Sequence, residues 1–164
     1  MNPTRGGWFI ALSLFFALVL SVLHLPAWWP HWLAWLRPHW AIVFVFFWVL
    51  HVPGRMGLIW AWVFGLLLDV LLADPLGLNA AILATVTFVT WQLYERLRMY
   101  TLAQQCATVF LMVLGADLIS GTVHFLMSGS ELDPAFALSA LTSGLVWPLV
   151  NALMSRLTIQ FRVV

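Results

Sequence analysis

The sequence predicts an all-α polytopic membrane protein, a single integral membrane domain over 1–164 with about six transmembrane helices and both termini cytoplasmic. Three observations carry that reading. Hydrophobic residues make up 63% of the chain and charged residues only 8%, too few charges to cover a soluble domain of this size. Apolar runs bounded by Pro, Gly and charge recur over about 8–25, 39–52, 57–73, 76–94, 102–128 and 135–157. The basic residues, all Arg, are distributed unevenly: with the N-terminus inside, Arg5, Arg55, Arg96, Arg98, Arg156 and Arg162 are cytoplasmic and only Arg37 is outside. Such a bias is the positive-inside signature of orientation.

The run after Arg5, from Trp8 to Leu25, is too long for a signal-peptide core and lacks a small-x-small cleavage site, so it reads as a retained first helix. The stretch from Pro26 to Trp40 holds Trp28, Trp29, Trp32, Trp35 and Trp40. Those rings fit the outer membrane interface, with a partner surface as the sharper alternative. The next two segments are short, about 21 and 26 Å at 1.5 Å per residue. Each crosses only a thin or deformed bilayer, or the two form a re-entrant hairpin turning at Pro53-Gly54-Arg55.

Segment 57–73 carries the most informative pattern. Gly57, Ala61, Gly65 and Ala73 recur at multiples of four, and the one slot in that series that is not small is Asp69. Residues four apart share a helix face, and a small-residue ridge lets membrane helices approach closely. The groove is therefore expected to receive another helix, the chain's own or a partner's, with Asp69 contributing a hydrogen bond in a low dielectric. Segment 102–128 places Asp117, Ser120, Gly121, His124 and Ser128 at i, i+3, i+4, i+7 and i+11, one continuous polar face. Asp117 lies about 22 Å along it, and a bond from Asp117 to His124 through a shared water is one way to satisfy that face. Segment 135–157 repeats a weaker stripe of Ser139, Ser143, Trp147, Asn151 and Ser155, with Pro148 expected to kink it. Lipid cannot satisfy these groups. They predict an internal polar seam joining 57–73, 102–128 and 135–157.

Several chemistries are disfavoured. Asp69 and Asp117 fall at different depths, which argues against the paired carboxylates of an aspartyl protease; no catalytic residue is assigned. His24, His31, His39, His51 and His124 have no carboxylate or Cys at ligand spacing, so neither metal nor cofactor is expected. A net charge of +1 argues against nucleic acid. Cys106 is the single cysteine and forms no internal disulfide. A small-molecule carrier is the alternative that the short, polar-seamed helices leave standing.

The chain also resembles a known family. Leu36-Arg37-Pro38-His39-Trp40 opens a short helix ending in His51-Val52-Pro53-Gly54-Arg55; then come Gly65-Leu-Leu-Leu-Asp69-Val-Leu and Pro75-Leu76-Gly77; Ser143-Gly144-Leu-Val-Trp147-Pro148 and Arg156 to Phe161 close the series. In that order, over about residues 8–162, the chain is similar to the rod shape-determining protein MreD family of Gram-negative bacteria. The resemblance implies a non-enzymatic subunit of the inner-membrane machinery that inserts peptidoglycan along the side wall. It implies MreC as direct partner and MreB, RodZ, RodA and a class B penicillin-binding transpeptidase as complex members. It further implies a fold like the substrate-binding components of energy-coupling-factor vitamin transporters. Arg37, Pro38, Gly65, Asp69, Gly77, Trp147 and Pro148 are the motif positions it marks as structural or partner-facing.

Overall fold

The protein is described by a computed structural model covering residues 7–23, 36–54, 56–129 and 136–160. Expectations for Arg5, Arg55, Arg162, His24, His31, Trp28, Trp29, Trp32 and Trp35 lie outside those residues. Among the described residues the chain is all-helical, with no strand: α1 (Gly7–Val22), α2 (Trp40–His51), α3 (Leu58–Leu72), α4 (Leu78–Gln92), α5 (Tyr94–Met99), α6 (Leu102–Ser128) and α7 (Phe136–Gln160). Of these, α6 and α7 are long and apolar enough to cross a membrane; α1 to α4 are shorter apolar helices.

The core is built around α2. Every residue from Ala41 to Leu50 is buried, which is why its sequence is apolar all round with no stripe. Five helices (α1, α4, α5, α6 and α7) pack about it. At 12 residues it measures about 18 Å, against about 40 Å for the 27 residues of α6. It is a short central post between longer helices. On one flank Trp48 Nε1 donates to Ser13 Oγ at 2.8 Å, and Ser13 Oγ donates to the Ile10 carbonyl, so no polar atom of that contact is left unpaired. On the other flank Phe46 meets Trp147 edge-on at 4.8 Å between ring centroids.

Two antiparallel hairpins complete the fold, α3 with α4 and α6 with α7. The segment expected at 76–94 is α4, within two residues at each end, and an additional six-residue helix, α5, follows it, carrying Glu95, Arg96 and Arg98. Thr101 and Gln104 start α6 with a capping box, each side chain accepting the other's backbone N–H. Helix α7 is continuous through Pro148. Outer faces of α3 and α7 expose Ile59, Trp60, Val70, Leu145, Leu149 and Ile159, a wide apolar belt whose preferred surroundings are hydrocarbon.

Candidate functional site

The polar residues singled out in the sequence gather at the end of the bundle where α3 and α6 finish and α2 and α4 begin. There they form two separate joints.

The first joint is the α3–α4 hairpin. A Cβ placed on Gly65 would lie 2.3 Å from Ala80 Cα. Only hydrogen fits there, so the groove is filled by the chain's own α4. Ala61 is fully buried on the same face. Gly57 takes no part; nothing lies within 4 Å of its would-be Cβ, and it is the residue that precedes α3. Ala73 also leaves the ridge, closing α3 in a left-handed conformation at φ 56°. Because the backbones are so close, Asp69, one turn beyond Gly65, reaches the start of α4. Its carboxylate accepts the backbone N–H groups of Gly77 and Asn79, each at 2.8 Å. Gly77 sits at φ +97°, a backbone region glycine occupies without strain, but it has no side chain to cap the helix it introduces. Asp69 supplies that cap from the preceding helix, with its negative charge at the positive end of the α4 dipole.

The second joint binds α2, α6 and α7. Asp117 Oδ1 lies 2.7 Å from His39 Nε2, and its Oδ2 accepts from Ser139 Oγ. The His39 backbone N–H donates to Ser143 Oγ at 2.9 Å, and Ser143 Oγ donates to the Ser139 carbonyl. The start of α2 is thereby fastened to both helices of the α6–α7 hairpin. Gly144 beside it brings those two close: a Cβ there would meet the Cys106 carbonyl at 3.1 Å.

Asp117 and His124 each find a direct partner on another element. Seven residues along a helix separate the two by about 10 Å, and each has a nearer partner: His39 for Asp117, and Asp74 for His124 at 3.5 Å. Asp74 also accepts from Asn79 Nδ2, so the α3–α4 turn is tied to α6. The seam expected across α3, α6 and α7 is corrected accordingly: Asp69 turns to α4, and α2 takes its place. Ser120 and Gly121 are half-buried on α6. Arg37 donates to the Ser21 carbonyl at 3.0 Å, and the Pro38 carbonyl accepts from Trp40 N–H, so both anchor the entry to α2. Trp147 is fully buried and donates to Gln105 Oε1, and Pro148 is half-buried beside it; Trp147 packs inside the bundle rather than facing a partner.

His39, Asp74 and Asn79 were not among the expected site residues. His39 was legible in part, as the residue before an apolar run in Arg37-Pro38-His39-Trp40. The local sequence around Asp74 and Asn79 contains no signal for their partners. Among the described residues no cluster of three His, Cys, Asp or Glu is placed to hold a metal. At the opposite end of the bundle, Leu50, His51, Tyr94, Arg98, Gln105 and Asn151 line a cavity of about 490 Å³.

A family model described as rod shape-determining protein MreD matches residues 4–157. The chain belongs to the MreD family. It is also 33% identical over 150 residues to the rod shape-determining protein MreD of Haemophilus influenzae, covering 92% of this chain and 91% of that one. No solved structure matches the chain. Membership assigns a role in determining rod shape and places the protein among membrane proteins, in keeping with the apolar belt. Set beside MreD membership, both joints are internal fastenings: each carboxylate has partners within the chain.

Proposed function

We propose that this MreD-family protein is a non-enzymatic, multi-pass subunit of the bacterial inner membrane that supports lateral peptidoglycan synthesis by binding MreC within the cell-elongation complex. The observation that carries the reading is the family match along nearly the whole chain. The internal hydrogen bonding of Asp69 and Asp117 supports it, since each carboxylate fastens helices of the chain to one another. MreB, RodZ, RodA and a class B penicillin-binding transpeptidase are the further members of the proposed assembly. Orientation follows the arginine bias, with both termini cytoplasmic. The likeness to energy-coupling-factor substrate-binding components belongs to this proposal as well. The Gly65 groove is not proposed as the MreC site, because α4 occupies it.

The test is cell width on depletion of the protein in its native bacterium, with plasmid rescue. Rods that swell to spheres and recover with the intact gene are the expected result. Rods of unchanged width with a growth defect relieved by a vitamin would favour the carrier instead.

A further inference from the structure

The cavity between α2, α5, α6 and α7 has a lining unlike either joint. Arg98 is exposed at its mouth; its guanidinium lies over the Tyr94 ring at 5.7 Å and 3.4 Å from the Tyr94 hydroxyl. Among the described residues no carboxylate pairs with it. His51 Nδ1 is 3.0 Å from the Phe47 carbonyl. A carbonyl only accepts, so in the neutral ring Nδ1 carries the proton and Nε2 is left as an acceptor. Asn151 Oδ1 is buried with no hydrogen-bond partner, which costs free energy unless something donates to it. Gln105 is occupied, donating to the Leu97 carbonyl and accepting from Trp147. The lining therefore combines one unpaired cation with two residues, His51 and Asn151, that each carry an acceptor without a protein donor, around about 490 Å³, a volume typical of small-ligand sites.

We propose that this cavity binds the headgroup of a membrane phospholipid, a phosphodiester that carries its own hydrogen-bond donor. The phosphate meets Arg98, and the hydroxyl or ammonium beyond it donates to His51 Nε2 and, once the Asn151 side chain turns its amide oxygen toward the cavity, to Asn151 Oδ1. Arg96 and Arg156 lie toward the same end of the bundle, the side where the arginine bias puts the anionic cytoplasmic leaflet. Basic pockets between membrane helices on that side are suited to lipid headgroups. A free anion would leave the two acceptors empty, and a headgroup without N–H or O–H would do the same.

The experiment is native mass spectrometry of the full-length protein, released from detergent with phosphatidylethanolamine, phosphatidylglycerol or phosphatidylcholine added separately. Phosphatidylethanolamine and phosphatidylcholine have the same net charge, but only the former donates. Retention of phosphatidylethanolamine and phosphatidylglycerol over phosphatidylcholine is expected. Arg98→Gln is expected to weaken both by about tenfold, the loss of one charge-assisted hydrogen bond. Asn151→Leu is expected to abolish the preference for phosphatidylethanolamine over phosphatidylcholine, with thermal unfolding confirming that each variant is folded. Equal binding of all three lipids, or unchanged binding in both folded variants, would overturn the proposal. So would displacement of the lipid by an equal concentration of water-soluble glycerophosphoethanolamine, since the site would then take a free phosphodiester.

Discussion

Asp69 and Asp117 are both carboxylates on apolar helices, yet they are held in opposite ways. Asp69, 1% exposed, is gripped by two backbone amides that lie eight and ten residues away in the chain. Asp117, 10% exposed at its side chain, depends on two side chains, His39 and Ser139, which lie 78 and 22 residues away by number. Backbone amides survive every substitution except proline and do not change protonation, and they are brought to Asp69 by a short turn. The Asp117 joint exists only once three helices are assembled at matching depth. One joint completes a hairpin; the other fastens the hairpins and the central post together.

The strongest way to break this contrast is at Gly65. Gly65→Leu is expected to lose the monodisperse folded peak on size-exclusion chromatography, because the added atoms collide with α4 backbone at a cost of about 3 kcal/mol, the upper part of the range for overpacking. Leu67→Ala, on the exposed face, should leave that peak intact; the same profile from both variants would refute the tight approach. Next in size is Asp69→Leu, which strands two partly buried amide donors at about 1 kcal/mol each, the lower end of the range for unsatisfied groups. Thermal unfolding in detergent should show a larger drop in Tm for Asp69→Leu than for Asp117→Asn, which keeps an acceptor for Ser139. The reverse order would mean that the assembled joint, not the hairpin, dominates stability. A double-mutant cycle of His39→Gln with Asp117→Asn sharpens the comparison further. Its coupling is expected at about 1 kcal/mol, since the histidine is partly exposed, and a cycle of His124→Gln with Asp74→Asn should give less at its longer distance. Smallest of all is Thr87→Val. The Thr87 hydroxyl is buried without a partner, so its removal in a near-isosteric side chain should leave Tm unchanged or slightly higher.

The helices themselves were largely legible. The segment expected at 102–128 coincides with α6, and 57–73 is within one residue of α3 at each end, because apolar runs and their Gly, Pro and Thr boundaries are local signals. The small-residue ridge correctly marked Gly65 and Ala61 as a close approach. It misled at Gly57 and Ala73, where the period continues past the contact. The end of α4 fell within two residues of the expected 94, but the six-residue α5 after it was not expected, because a helix that short has no apolar run to announce it. The polar faces of α6 and α7 were expected to meet, and Asp117 does accept from Ser139; its pairing with His39 on α2 was not foreseen.

By itself, then, the sequence determined an all-helical chain rich in apolar surface, a short apolar segment at 39–52, and a small-residue ridge whose acid lies one turn from a glycine. Tertiary structure decided which group answers each carboxylate. Helix formation and amphipathic patterning act over neighbours three or four residues apart, whereas the pairing of His39 with Asp117 depends on where α2 begins relative to α6. That depth is set by how the fully buried post packs among α1, α4, α5, α6 and α7, which no local pattern records.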